Sequence, residues 1–313
     1  MKITFKKQLK LFLLFSFTFS STAFSQGCSD DYSYLVFTEN GVILFEEKSV
    51  KMSYPASLVK LMTLYLTFEA LEKNKFKSDK ILKFSARGEE ISKVNKINTM
   101  NAKEGDKITV REAIRAIIVK SFNEATIVLA EAVDGSEWKF VRRMNDKTKQ
   151  LGMFNTSFRN ASGLHEEGQY TTSYDLARLV LALKKDFPQY YHLFAVKEFS
   201  YKGVKYETHN HVLTDYEGAE GLKTGFTNAS GFNLISAARQ GDKRIFSILL
   251  NCSTYQKRDQ FTKFLLNDAF KSLSQNKQQL QTRLDKKFDY SAKQKRHDDY
   301  EEEMRFGMKL ENY

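Results

Sequence analysis

The chain has 313 residues, 42% of them hydrophobic, and a formal net charge of +11. That is enough to bury one large core or two intimately packed subdomains. Lysines and arginines are spread rather than clustered and resemble no nucleic-acid module, which excludes that class of partner; a basic surface of this kind suits a polyanionic neighbourhood such as an anionic membrane face or a cell wall.

The first 25 residues read as a secretory leader. Lys6, Lys7 and Lys10 form a basic start, Leu11 to Phe19 an apolar run, and Ala23-Phe24-Ser25 a small-x-small cleavage site, which places the mature start near Gln26. The run is too short to span a bilayer comfortably, which takes about 20 apolar residues, and the alternative is an uncleaved N-terminal anchor. The chain is therefore expected in the periplasm or on the outer face of the cytoplasmic membrane. Both cysteines, Cys28 and Cys252, lie in the exported part, where a disulfide can form. Cys28 precedes the first expected strand and Cys252 follows the last one. If those strands are antiparallel neighbours, the two cysteines share one end of the sheet and pair.

Tyr34–Phe37 and Val42–Phe45 flank Glu39-Asn40-Gly41 and predict a hairpin. Apolar residues three or four apart predict a helix from Ser57 to about Lys73. Residues from 57 to about 195 are mainly helical in pattern. Thr109-Val110-Arg111-Glu112 is a capping box for a helix ending near Lys120. A second helix follows from Asn123 to about Val133, and another from Thr172 to Leu183. After residue 197 the pattern turns strand-like: a weak alternation over Glu198–Tyr206, then Leu222–Phe226, Phe232–Ala238 and Arg244–Asn251 with polar turns between them. A last helix covers about Arg258 to Leu273. Strands from both ends must then meet in one sheet around an inserted helical block, an α+β fold with an antiparallel sheet. Residues 276–313 read as a charged, disordered tail in which Tyr300, Met304 and Met308 share a helical stripe, a candidate peripheral membrane contact.

Three short motifs carry the chemistry. Ser57-Leu58-Val59-Lys60 puts a hydroxyl and an amine on one helical face. A serine needs an adjacent base, and a lysine can be that base only when neutral, which an apolar setting such as Leu58, Val59, Leu61 and Met62 favours. Ser121-Phe122-Asn123 falls in a break between helices, where Ser121 can relay a proton and Asn123 can bind a peptide. Lys223-Thr224-Gly225 sits on an expected edge strand. There Lys223 and Thr224 suit a carboxylate, Gly225 lets a substrate backbone approach, and the Phe226 N–H joins that of Ser57 in an oxyanion hole. Taken singly, these read as helix caps and a surface lysine. Their order and separations, 64 and 102 residues between first members, point instead to acyl transfer by Ser57.

Tyr54 to Thr63 resembles the nucleophile segment of the serine-type D-alanyl-D-alanine carboxypeptidases, the low-molecular-mass penicillin-binding proteins. Gly221 to Thr227 with Ser230 to Leu234 resembles their third motif, and Asn160 to Leu164 and Tyr170 to Ala177 their central segment. The likeness runs from about 33 to 273, so residues 26–275 are the expected catalytic domain with a β-lactamase/transpeptidase-like fold. It implies removal of the terminal D-alanine from peptidoglycan stem pentapeptides, acylation by β-lactam antibiotics, and no cofactor. Arg258 resembles a family arginine near the substrate carboxylate, and His211 stands where a basic residue is common. The chain departs from the family in Phe122, bulky where a small residue is usual, and in the roughly 40 residues left where many members carry a further β-rich domain. His209 and His211 alternate, point oppositely and lack a third ligand, so no metal is expected.

Other readings use the same residues. A D,D-endopeptidase would cut cross-links with this machinery. A β-lactamase needs a carboxylate for deacylation, and Glu166 and Glu167 lie in a segment unlike that pattern. A non-catalytic wall-binding protein would have no need of Ser57, Lys60, Ser121 and Lys223 together.

Overall fold

The computed structural model describes residues 28–275 except Asp30 and 95–97; the expected leader, the charged tail and its Tyr300–Met308 stripe lie outside the described residues. In chain order the elements are β1 (Ser33–Thr38), β2 (Ile43–Glu47), a 3-10 turn (Ala56–Val59) running into α1 (Lys60–Glu72), β3 (Ile81–Lys83), α2 (Ala86–Val94), β4 (Lys107–Thr109), α3 (Val110–Lys120), α4 (Asn123–Asp134), α5 (Glu137–Gln150) and α6 (Ser173–Asp186). After two short helical turns at 188–195 come β5 (Glu198–Tyr201), β6 (Val204–Glu207), α7 (His211–Asp215), β7 (Ala219–Thr227), β8 (Gly231–Gln240), β9 (Lys243–Cys252) and α8 (Tyr255–Gln275).

Five strands form one antiparallel sheet in the order β2-β1-β9-β8-β7, so strands from both ends do meet, with β7 at one edge. Alternation along each strand sends side chains to opposite faces. Leu35, Phe37, Phe246 and Ile248 face the helical block, and Val36, Ile245 and Leu249 face α8 through Phe261, Leu265 and Leu266. Helix α1 lies in the centre of the larger core. Nearly all its residues are buried, including Thr63 and Thr67, whose hydroxyls donate to the carbonyls of Ala161 and Thr63. A helix apolar all round belongs inside a core, and this one brings Lys60 in with it.

The capping box at Thr109 forms, with Glu112 N–H donating to the Thr109 hydroxyl and the Thr109 N–H to the Glu112 carboxylate. The run Glu198–Tyr206 does not join the main sheet. It turns back at Lys202–Gly203, both with positive φ, to make the separate hairpin β5–β6. Helices α2 and α5 and the hairpin β3–β4 were not individually expected; the strands there are three residues each, too short to print a period.

Cys28 and Cys252 are disulfide-bonded, since β1 and β9 are antiparallel neighbours. The bond closes a loop of 224 residues. Replacing both cysteines by serine is expected to lower the unfolding free energy by about 2–5 kcal/mol, read as a lower midpoint in urea denaturation. An unchanged midpoint would contradict the bond's structural role.

Candidate active site

Ser57 lies in the 3-10 turn that leads into α1, and Lys60 is the first residue of that helix. Ala56, just before the serine, has φ +48°, a left-handed conformation that costs a non-glycine residue energy and is held here by its surroundings. Those surroundings are tight. A Cβ on Gly163 (φ +81°) would stand 2.0 Å from the Ala56 carbonyl oxygen, and one on Gly225 would stand 3.2 Å from the Ser57 nitrogen. Asn233, fully buried on β8 opposite Gly225, donates through Nδ2 to the carbonyls of Tyr54 and Pro55 at 3.0 and 3.2 Å, and its Oδ1 accepts from the Asn251 N–H. The serine's turn is thus clamped between the 160–164 turn and the strand pair β7–β8.

Lys60 is completely buried, and its Nζ lies 2.9 Å from Ser57 Oγ. It also donates to Asn123 Oδ1 at 2.9 Å and to the Ser162 carbonyl. Burial, then the charge of Lys223, holds its pKa well below the ordinary lysine value, with Glu124 opposing more weakly. A neutral amine has two N–H groups and one lone pair. With both N–H groups given to the Asn123 and Ser162 oxygens, the lone pair is left for the Ser57 hydroxyl.

Ser121 caps α3 in the left-handed conformation, φ +62°, which breaks the helix so that α4 restarts at Asn123. Its Oγ is buried and has no hydrogen-bond partner among the described residues. Asn123 Oδ1 is committed to Lys60, while Nδ2 is buried without a partner. Phe122 turns away from the serine into the core, packing edge-on against Phe199 and Tyr206 of the β5–β6 hairpin. The bulk of Phe122 therefore goes into seating that hairpin and does not narrow the site.

A cleft of about 580 Å³ opens over Ser57, Ser121, Thr224, Gly225, Phe226 and Arg258. Lys60, Asn123 and Lys223 lie behind its wall, each 2% exposed or less. One end of the cleft is strongly basic. Arg258, buried on α8, is paired with Asp259 and donates to the Asn233 carbonyl. Lys223 donates to the Thr224 carbonyl, and burial with the Arg258 charge beside it pushes its pKa down to about 7. Among the described residues no group of three or more His, Cys, Asp or Glu side chains is placed to hold a metal ion, and no helix is long and apolar enough to cross a membrane.

A sequence profile of the D-alanyl-D-alanine carboxypeptidase family matches residues 25–254. The chain belongs to that family. It is 34% identical over 242 residues to the D-alanyl-D-alanine carboxypeptidase DacF of Bacillus subtilis, covering 75% of this chain and 61% of that protein. It is 33% identical over 248 residues to DacA of Escherichia coli, covering 77% and 61%. The chain thus spans about three fifths of the length of these curated relatives. In structure it is similar to penicillin binding protein 5 from Haemophilus influenzae, with a TM-score of 0.73 and 30% identity over 76% of this chain and 70% of that one. It is also similar to penicillin-binding protein D2 from Listeria monocytogenes in the ampicillin-bound form, with a TM-score of 0.66 and 32% identity over 76% and 96%. The D-alanyl-D-alanine carboxypeptidase family resemblance read from the motifs, and the α+β fold expected from the pattern of strands and helices, both hold.

The three motifs do converge on this one cleft. Gly225 lacks a side chain where its strand meets the serine's own turn, a neighbour the sequence did not announce. His209 and His211 do not diverge. The chain turns into α7 at His211, and both line the cleft. Sequence reasoning missed the Ser162 carbonyl, the Asn233 clamp and the contact of His209 with Thr224. The segment likenesses at 160–164 and 230–234 flagged the first two regions, but a backbone carbonyl carries no residue code. Gly163→Ala is expected to lower stability by about 1–3 kcal/mol, through its positive φ and the clash with Ala56, read as a lower thermal midpoint. An unchanged midpoint would contradict the clamp.

Proposed function

We propose that the chain is an exported serine-type D-alanyl-D-alanine carboxypeptidase acting on peptidoglycan stem peptides, with residues 26–275 as its catalytic unit. The observation that carries this reading is the buried Lys60 amine, 2.9 Å from Ser57 Oγ, behind the wall of a cleft whose far end is basic. Family membership supports it.

In this mechanism Lys60 takes the Ser57 proton and Ser57 Oγ attacks the carbonyl carbon between the last two D-alanines. The N–H groups of Ser57 and Phe226 bear the tetrahedral oxyanion. The C–N bond breaks, a proton relayed through Ser121 goes to the leaving amine, and D-alanine departs. Water then adds to the acyl-enzyme, and the Ser57–acyl bond breaks as Oγ regains its proton. Asn123 holds Lys60 through Oδ1 from behind the cleft wall. Thr224 and Arg258 hold the terminal carboxylate, and Lys223, behind the wall, adds its positive field to theirs. By the same chemistry a β-lactam acylates Ser57, as the ampicillin-bound Listeria relative suggests.

Wild-type protein is expected to remove one alanine mass from pentapeptide stems, and Ser57→Ala to remove none. Cleaved cross-links with intact pentapeptides, or no product from the wild type, would overturn the reading. The pH profile is a second check. The active form needs Lys60 neutral and Lys223 charged, so it is the singly protonated state of the lysine pair, and kcat/KM is bell-shaped. Its alkaline limb follows loss of the Lys223 proton, with a midpoint near pH 7. Lys223→Arg, whose charge cannot be titrated away, is expected to move that limb up by more than about one pH unit. An alkaline limb unmoved in an active Lys223→Arg enzyme would contradict the assignment.

A further inference from the structure

The basic end of the cleft contains one contact that the mechanism above does not use. His209, in the segment before α7, places Nε2 2.8 Å from Thr224 Oγ1. The charged and titratable groups that face this imidazole come from four elements: Lys223 on β7, Lys120 on α3, Arg258 on α8 and His211 on α7. None of them is acidic. Burial first, and the charges of Lys223, Lys120 and Arg258 after it, push the His209 pKa down to about 3, so the ring is neutral at any working pH.

A threonine hydroxyl has one hydrogen to give. If Nε2 is the bare nitrogen, Thr224 spends that hydrogen on His209 and turns only lone pairs toward the cleft. If Nε2 carries the proton, His209 donates to Oγ1 and the hydroxyl hydrogen is free for a ligand. A pocket lined by Lys120 and Arg258, with Lys223 behind its wall, draws an anion, and a carboxylate only accepts hydrogen bonds. The two tautomers therefore have opposite effects on carboxylate binding.

We propose that His209 is a positioning residue for the substrate's terminal carboxylate, held in the Nε2–H tautomer so that the Thr224 hydroxyl donates into the cleft. This rests on the carboxypeptidase reading for the identity of the ligand. A histidine serves here where a lysine would not. It supplies a directed N–H without adding another full charge to an already cationic wall.

The test reads binding, not turnover. In the full-length chain carrying Ser57→Ala, the dissociation constant of an N-acyl-D-alanyl-D-alanine peptide is measured beside that of its C-terminal amide. Adding His209→Leu is expected to weaken the carboxylate peptide about tenfold, the scale of one hydrogen bond to a charged group, and to leave the amide peptide within about twofold, the scatter of uncoupled sites. In a Thr224→Val background, His209→Leu is expected to cost nothing further, because the effect passes through that hydroxyl. Equal losses for both peptides, additive losses with Thr224→Val, or no loss at all would each overturn the proposal. A histidine nitrogen NMR spectrum of the chain with His209 intact needs no variant there. It is expected to show protonated Nε2 and bare Nδ1 at His209 with the peptide bound, and the reverse pattern would overturn the tautomer assignment. The carboxypeptidase reading fails separately, on absence of alanine release by the wild type.

Discussion

A lysine amine buried to zero exposure has to be either paired or neutral, because desolvating a charged ammonium costs several kcal/mol. Among the described residues no carboxylate lies within hydrogen-bond reach of Lys60. Its partners are the Ser57 hydroxyl, the Asn123 side-chain oxygen and the Ser162 carbonyl. The nearby carboxylate of Glu124 accepts from the Thr99 hydroxyl and the Met100 N–H through Oε1, while its Oε2 is buried with no partner among the described residues. The fold therefore keeps a cation-forming group where its neutral form is preferred, and puts the Ser57 hydroxyl beside it. The three partners come from three segments of the chain. That is why the helical block, inserted between strands from the two ends, has to close around α1.

The sheet contributes in a different way. Strand β7 meets the serine's turn without a side chain at Gly225, and β8 holds that turn through Asn233. The same strand pair bears the basic end of the cleft, where Lys223, Thr224 and the Arg258 contact to the Asn233 carbonyl stand side by side. Position and charge are thus set by the same backbone. Lys223 also acts in two places, since its charge depresses both Lys60 and His209. The two lysines titrate as one coupled system.

Much of this was legible in the sequence for physical reasons. The spacing of Ser57 and Lys60 on one helical face is a local fact, and so are the capping box at Thr109, the break at Ser121 and the edge position of Lys223-Thr224-Gly225 next to a turn. The disulfide followed from a topological argument, that two strands from opposite ends are neighbours. What was not legible depends on long-range contact. Nothing near Gly225 announces that Ser57 will pack against it. Phe199 and Tyr206, which take up the bulk of Phe122, come from a hairpin far along the chain whose pattern alternates only weakly. His209 and His211 were read as diverging because alternation assumes an extended chain, and the short helix at His211 breaks that assumption.

The central claim is that Lys60 is a neutral amine at working pH, and its own titration tests this most directly. In protein labelled with carbon-13 at lysine Cε, with Lys60→Arg used to assign the signal, the Lys60 midpoint should lie well below the ordinary lysine value of 10.5. It should rise in Lys223→Met, since removing a neighbouring positive charge makes protonation easier. A Lys60 midpoint in the ordinary lysine range, unmoved by Lys223→Met, would contradict the account.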